Sequence, residues 1–592
     1  MKKAVTSRPG APKPSLDRAT PAPRYDARRR VVLGLLALAA LGLVARAIER
    51  QIIERDFLRG EGERRFLRIV EMPAHRGVIM DRNGEKLAVS APVVSIAVNP
   101  RVLPRDTARL LPLARALDLD YEALRRKLTA NARRSFLYLK RGVDPSLAGK
   151  VRDLARGLDL RGIEFQREYH RFYPSGEITA HVVGLTDIDD QGIEGMELAD
   201  DAHLRAHPGR KRVIRDGRHR VIEDLERIEA PRDGRDLTLS IDRRLQYIAY
   251  RELKAAVARH HARAGSLVLL DVRSGEILAL VNQPSFNPNK PGAARRGALR
   301  NRALTDVAEP GSTMKPFTVA AALDLGAVSP DAIIDTRPGY LRIGRDRVSD
   351  HHPLGRIDLG TLLAKSSNVG AAKLALALDS EAFHDYLAAL GLGRPTGIGF
   401  PGEVSGRLAP AGRWRRFEQA TMSFGYGLSV TPLQLAAAYA VIAADGVKRP
   451  LSLRKREAPA AGRQVMKPAT ARLLRKLLQR VVEKGGTAPR AAIPGFSVAG
   501  KTGTTRKLVH GRYSNKQYRS LFVGMAPASR PRYVLLVMID EPKGREYYGG
   551  AVAAPVFSRV MSETLRLMNV VPDQALDGAP RLRLAALDGV AR

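Results

Sequence analysis

A serine and a lysine three residues apart, Ser312 and Lys315, lie in the stretch Glu309-Pro310-Gly311-Ser312-Thr313-Met314-Lys315-Pro316. A serine hydroxyl is a weak nucleophile until a neighbouring base takes its proton. Residues at i and i+3 share a helix face, so on a helix the Lys315 amine comes within hydrogen-bond reach of the Ser312 hydroxyl. The obstacle is charge, because a free lysine is protonated at pH 7. To act as a base its pKa must fall from about 10.4 to near 7, a differential of about 4 kcal/mol. Burial and a second cation close by would achieve this, so the pattern predicts another lysine in the site. Alone, S-x-x-K is also the pattern of an ordinary helix start with a surface lysine.

Two further triplets supply what the first lacks. Ser366-Ser367-Asn368 sits between an apolar helical stretch, 358–365, and an Ala-rich run, 369–378, so it reads as a short connection that exposes its side chains. Lys501-Thr502-Gly503-Thr504 ends a strand-like run, and Gly503, lacking a side chain, lets a ligand or another backbone approach closely. Lys501 and Lys365 are the two candidates for the second cation. Each triplet is common by itself. The order S-x-x-K, S-x-N, K-T-G on a helix start, an interhelical connection and a strand is far more specific.

The elements that must hold these groups are readable around them. Pro310 and Gly311 punctuate the chain before Ser312, Pro316 falls in a first helical turn where a missing N–H costs little, and 317–325 runs Ala- and Leu-rich until Gly326 stops it. Residues 266–271 and 276–282 flank Arg273-Ser274-Gly275 as paired strands; 496–504, 521–525 and 533–539 are three more with no helix between them. Short connections imply antiparallel pairing. Helical segments at 314–325, 359–364, 433–443, 470–483 and 554–567 complete an α+β architecture, a five-stranded antiparallel sheet against a mostly helical subdomain. The cluster Ala230-Pro231-Arg232-Asp233-Gly234 marks where this part begins.

Upstream the texture differs. Residues 1–30 are Pro- and basic-rich and cannot form a core; 31–45 is uncharged and apolar, about 22 Å as a helix, and reaches near bilayer length if carried to Ile48 with Arg46 snorkelling. The basic flank places the N-terminus in the cytoplasm and the rest of the chain outside. A cleaved signal peptide is the competing reading, but the basic arm is long and Arg46 would stand beside the cut. Residues 49–70 read as a helix leaving the membrane, Asn83-Gly84 as a hairpin turn, 104–160 as helical, and 160–235 as short strands and turns without a catalytic constellation.

Composition limits the chemistry. The chain has 592 residues, room for two or three domains, and no cysteine, which excludes disulfides, zinc-thiolate sites and cysteine nucleophiles. Its net charge of +38 suits anionic surroundings, yet no zinc-finger spacing or RRM-type aromatic pattern points to nucleic acid. Phospholipid and anionic cell-wall polymer fit as well, and so does a general Arg bias of the genome. His351-His352 has no third ligand at sensible spacing; neither a metal nor an organic cofactor is suggested.

With the three triplets in place the chain resembles the penicillin-binding serine acyltransferases, and among them the division-specific peptidoglycan D,D-transpeptidases. The resemblance runs from the anchor to about residue 570 and includes Tyr173-Pro174-Ser175-Gly176, Gly192-Ile193-Glu194-Gly195, Val221-Ile222-Glu223-Asp224, Ser423-Phe424-Gly425-Tyr426-Gly427, Thr431-Pro432-Leu433-Gln434 and Tyr547-Tyr548-Gly549-Gly550. It implies a cytoplasmic arm (1–30), a transmembrane anchor (31–48), an elongated strand-rich pedestal for dimerisation or interaction (49–230), a transpeptidase domain with helices on both sheet faces and an all-helical subdomain (231–570), and a polar tail (571–592). The implied substrate is a peptidoglycan stem peptide ending D-Ala-D-Ala, with β-lactams as covalent inhibitors. Ser312 is then the nucleophile and Lys315 its base, Ser366 and Lys501 relay the proton, and Asn368 holds the peptide amide. Thr502 and Thr504 hold the substrate carboxylate beside Gly503, and the N–H groups of Ser312 and Thr504 form the oxyanion hole. The resemblance also implies an inner-membrane location at the division septum, with FtsW and the FtsQ-FtsL-FtsB group as partners. An elongation-specific enzyme with the same chemistry, a β-lactamase or carboxypeptidase, and a divisome scaffold are the competing roles.

Overall fold

The computed structural model describes residues 26–57, 67–104, 107–215, 221–295, 297–509 and 511–575. The arm up to residue 25 and the tail from 576 lie outside them. Compactness groups the residues differently from sequence texture. The described parts of 1–72 and 209–230 form one unit, and 73–208 with the described residues from 231 onward form a second.

In the first unit an α-helix spans Asp26–Ile48 and continues as a π-turn through Glu49–Ile53. It therefore starts five residues before the expected anchor, taking in Asp26, Arg28, Arg29 and Arg30, because helix geometry is satisfied within the segment whatever the polarity of its ends. It is long and apolar enough to cross a membrane, and none of its side chains is buried against protein. The same unit holds a three-stranded antiparallel sheet in which Gly209–Arg215 pairs with Leu67–Met72 on one side and Val221–Glu229 on the other.

In the second unit, strands Ile79–Met80 and Lys86–Val98 form the expected hairpin across Asn83-Gly84. The 13-residue strand also pairs with Ile163–Phe172 and with Leu137–Val143. That last strand interrupts a region expected to be wholly helical. Its inward Leu139 and Val143 join a small core with Leu113, Leu124 and Val151, so tertiary burial overrides the local Leu spacing. A far larger core runs from Ile79, Leu87, Tyr173 and Val183 without interruption into the central sheet.

The central sheet has strands β1 (Ala264–Asp271), β2 (Ile277–Gln283), β3 (Ala499–Val509), β4 (Arg512–Ala526) and β5 (Tyr533–Asp540), ordered β2-β1-β5-β4-β3 and antiparallel throughout. Every residue of β1, β2 and β5 is buried, so both faces are covered and the runs are apolar rather than alternating. Helices α1 (Arg243–Arg259) and α7 (Ala554–Leu567) pack together on the sheet, and α5 (Pro432–Ala443) packs on β1 and β5. The remaining helices that shape the site are α2 (Lys315–Asp324), α3 (Leu359–Lys365), α4 (Asn368–Leu376) and α6 (Pro468–Gln479). The subdomain expected to be all helical also carries two short strand pairs, Ile333–Asp335 with Arg356–Asp358 and Tyr340–Ile343 with Asp346–Ser349. Edge strand β3 and strand β4 run on past the site as a long hairpin to residues 509 and 512, well beyond the five- to nine-residue runs legible in the sequence.

Candidate active site

Ser312 lies in a 3-10 turn, Gly311–Met314, that leads directly into α2. The turn is held from three sides. Gly311 has φ +58°, and a Cβ there would stand 2.4 Å from the Thr505 side chain. Its N–H donates to Gly425 O at 3.2 Å, and a Cβ on Gly425 would be 2.2 Å from Gly311 O, so two backbones meet where only glycines fit. Tyr439 donates its hydroxyl to Thr313 O at 2.8 Å, and Thr313 donates to Pro310 O at 2.7 Å. Glu309 accepts from Gly427 N at 3.0 Å and from the Tyr513 hydroxyl at 3.0 Å, which ties the turn to the β3–β4 hairpin. Within this packed frame Gly311, Thr313, Met314 and Lys315 are buried, while Ser312 keeps partial exposure.

The S-x-N triplet is the expected interhelical turn. Ser366 closes α3 in the left-handed region, φ +59° and ψ 47°, a conformation that costs a non-glycine residue about 1–2 kcal/mol. Strain of this kind persists where surrounding structure over-determines it, and here it turns the hydroxyl toward the two lysines. Ser367 caps α4, accepting from Gly370 N at 2.9 Å. The residue the sequence reading missed is Asp350. Its carboxylate accepts from Asn368 N at 2.5 Å, Val369 N at 2.9 Å and the Ser367 hydroxyl at 2.7 Å, so it holds Ser367 and Asn368 at the N-terminus of α4. Fifteen residues of chain lie between it and Ser366, and no local pattern marks it.

The amines meet at Ser366. Lys315 Nζ lies 2.5 Å from Ser366 O, 3.0 Å from Ser366 Oγ and 2.8 Å from Asn368 Oδ1. Lys501 Nζ reaches the same Ser366 Oγ at 3.0 Å from β3. Both lysines are fully buried. Burial pushes the Lys315 pKa well below its ordinary value, the Lys501 charge lowers it further, and Asp350 opposes both. Burial pushes Lys501 down to about 7. Lys365, the other candidate cation, is exposed and donates to Gly485 O at 2.8 Å, away from the cluster. Two amines on one hydroxyl in a dry site cannot both carry protons, so the pair titrates as a unit. A neutral Lys315 can donate to the two carbonyl oxygens and accept the Ser366 proton on its lone pair.

The site differs from expectation in two respects. Among the described residues no hydrogen bond joins the Ser312 hydroxyl to Lys315, whose amine is taken up by Ser366 and Asn368 instead. Hydrogen bonds of this kind are often long before substrate binds. The Asn368 amide, expected to hold substrate, is engaged at both ends, by Lys315 and by Ser349 O at 3.0 Å. On β3, Gly503 lies against the Ser312 turn, where a Cβ would be 2.9 Å from Pro310 O. The Thr502 hydroxyl donates to the Thr487 hydroxyl at 3.1 Å, and Thr504 Oγ1 accepts from Gly549 N at 3.0 Å. β3 is the outer strand of the sheet, so its outer backbone edge is open to an extended peptide.

A buried lysine pair meeting at a serine, with a partly exposed second serine on the adjoining turn, defines a serine acyltransferase of the lysine-activated class. Comparison with known proteins agrees. The family model described as Penicillin binding protein transpeptidase domain matches residues 265–562, and the Penicillin-binding Protein dimerisation domain matches 71–239. The chain is 43% identical over 558 residues to the peptidoglycan D,D-transpeptidase FtsI of Escherichia coli K12, covering 93% of each chain. It is 42% identical over 556 residues to the probable peptidoglycan D,D-transpeptidase PenA of Neisseria meningitidis, covering 93% of this chain and 94% of the relative. The apo transpeptidase domain of penicillin-binding protein 3 from Burkholderia pseudomallei superposes with a TM-score of 0.53 at 46% identity, over 57% of this chain and 98% of that one. The chain belongs to the penicillin-binding peptidoglycan D,D-transpeptidases.

Proposed function

We propose that this protein is a serine-type D,D-transpeptidase that cross-links peptidoglycan stem peptides during septum formation. The observation that carries the reading is the shared contact of Lys315 and Lys501 with Ser366 beside the Ser312 turn. Ser312 Oγ attacks the carbonyl of the penultimate D-Ala, and its proton passes to the neutral Lys315 amine. Ser366 hands a proton to the departing amine of the terminal D-Ala, with Lys501 restoring it, and an ester remains on Ser312. The N–H groups of Ser312 and Thr504 receive the oxyanion; the Thr502 and Thr504 hydroxyls and the charge of Lys501 hold the carboxylate of the leaving residue. Lys315 passes its proton to Lys501 and is neutral again; the amine of a second stem peptide then attacks the ester and gives its proton to Lys315, which hands it to Ser312 Oγ as the ester C–O bond breaks. Asp350 and Asn368 act as positioning residues, keeping Ser366 and Lys315 in register.

A β-lactam takes the same path with no departing group, so the adduct persists. One helix among the described residues is long and apolar enough to cross a membrane, and with the basic flank before it this supports a single-pass inner-membrane protein with its N-terminus cytoplasmic and the Ser312 domain periplasmic. Septal placement, and the partners FtsW and FtsQ-FtsL-FtsB, enter this reading by resemblance alone. The test is the intact mass of the purified chain before and after benzylpenicillin. One equivalent of adduct on the parent and none on Ser312→Ala is expected. A folded parent that takes up no label overturns the proposal and moves the scaffold role to first place.

A further inference from the structure

A cavity of about 440 Å³ opens between α5, the stretch 390–396 and the strand pair Val447–Lys448 with Arg463–Gln464. It shares no lining residue with the Ser312 site. Lys448, Arg449 and Arg463 line it, and no Asp or Glu does. Lys448 stands directly across from Arg463 in the antiparallel register, a like-charge pairing that destabilises a strand pair left to itself. Burial lowers the Lys448 pKa, and the charges of Arg463 and Arg394 lower it further. Among the described residues none of these four cations has an ion pair. The Lys448 amine has a single long hydrogen bond, 3.4 Å to Ala389 O. It lies over Gly391, where a Cβ would come within 2.7 Å of Nζ, so a side chain at 391 would displace it. The polar Gln434 on the wall has its amide committed to Arg394 O and Ser405 O, leaving the cations to read any ligand.

Lys448 and Arg449 are partly buried in the concavity, and Arg463 and Arg394 stand exposed at its edge; cations gathered there without counter-charge raise the free energy of the empty protein, and a bound anion offsets that cost through charge-assisted hydrogen bonds. Leu390, Ala437 and Leu451 line the same cavity with apolar surface, enough for a short hydrocarbon body. We propose that this cavity is a binding site, distinct from the acyl-transfer site, for a small molecule carrying two or more oxyanion charges, carboxylate or phosphate, on a compact body.

The test is isothermal titration calorimetry on the full chain in detergent micelles at fixed ionic strength, with citrate and inorganic pyrophosphate as probes. The parent should bind one equivalent. The double variant K448Q/R463Q should bind at least tenfold more weakly, while benzylpenicillin still acylates Ser312 at the parent rate. A second variant, Ala461→Phe, narrows the cavity without altering charge and should weaken binding as well, which keeps the test decisive if the double variant folds poorly. Tighter binding of citrate assigns the site to carboxylates, and tighter binding of pyrophosphate assigns it to phosphates. Absence of saturable binding to the parent, or equal binding to parent and both variants, overturns the proposal, since the surface of a chain with net charge +38 would then account for the heat.

Discussion

Two places in the larger unit take a pair of cations out of water, and they do so with opposite electrostatics. In the region 73–208, Arg76 and Arg171 converge on Glu197, Arg76 Nε at 2.7 Å from Oε2 and Arg171 Nε at 2.6 Å from Oε1, and Arg76 adds Asp201 at 2.8 Å. In the Ser312 site Lys315 and Lys501 converge on a neutral hydroxyl, and among the described residues no carboxylate is in salt-bridge contact with either. Burial works against charge in both clusters. Glu197 and Asp201 outweigh it for Arg76, whose pKa ends above its ordinary value, whereas nothing outweighs it for Lys315. Guanidinium groups stay charged and fit a carboxylate in a fork, so the first cluster is a fixed cross-link; amines give up protons when desolvated, so the second is a titratable pair. The same physical cost of burying charge yields structure in one place and chemistry in the other.

The contrast breaks most visibly at Lys315. Replacing it by Met should leave the fold intact and slow acylation by benzylpenicillin on the order of 10³-fold or more; acylation within tenfold of the parent would remove Lys315 as the base. Glu197→Ala should act the other way, leaving buried Arg171 without its carboxylate and Arg76 with Asp201 alone, and costing about 3–5 kcal/mol in urea unfolding. Protein that stays folded should still acylate at the parent rate, and an unchanged unfolding midpoint would mean that the arginines find water.

The pH profile sharpens the pair. Lys501, with its pKa near 7, loses its positive charge as pH rises through that value, so the carboxylate loses its cation. Acylation per mole of penicillin at low concentration should therefore fall above about pH 7, by up to about tenfold per pH unit if the charge is essential. A profile flat from 6 to 9 would show that the Thr502 and Thr504 hydroxyls suffice. The smallest effect belongs to Asp350→Asn. The carboxylate favours protonated Lys315, so removing its charge should shift the acid limb of the acylation profile to lower pH, with a severalfold loss of rate from the weakened grip on Asn368. A shift to higher pH would contradict the assigned sign.

Much of this site could be read from the chain because its parts are local. Ser312 and Lys315 belong to one turn and helix, Ser366 to Asn368 form one interhelical turn, and Lys501 to Thr504 lie on one strand, so residue type and punctuation suffice to place each. Lys365 stands behind Lys501 as a candidate second cation in the sequence; packing decides between them, burying Lys501 and leaving Lys365 at the surface. Asp350 carries no signal because its function is to meet three groups that the chain brings back to it through the strand Arg356–Asp358 and α3. Strand Leu137–Val143 escaped a reading based on Leu spacing for a related reason, since its partner is a strand some forty residues upstream.

By itself, then, the sequence determined the three motifs, the apolar N-terminal segment, the five strands and the need for a second lysine, all consequences of periodicity, turn chemistry and the pKa of an amine. The tertiary structure alone decided which lysine is buried, that Ser366 stands between both amines, and that Asp350 supports the triplet. Desolvation and like-charge coupling depend on what lies within a few ångströms in space, and the chain order leaves that distance undetermined.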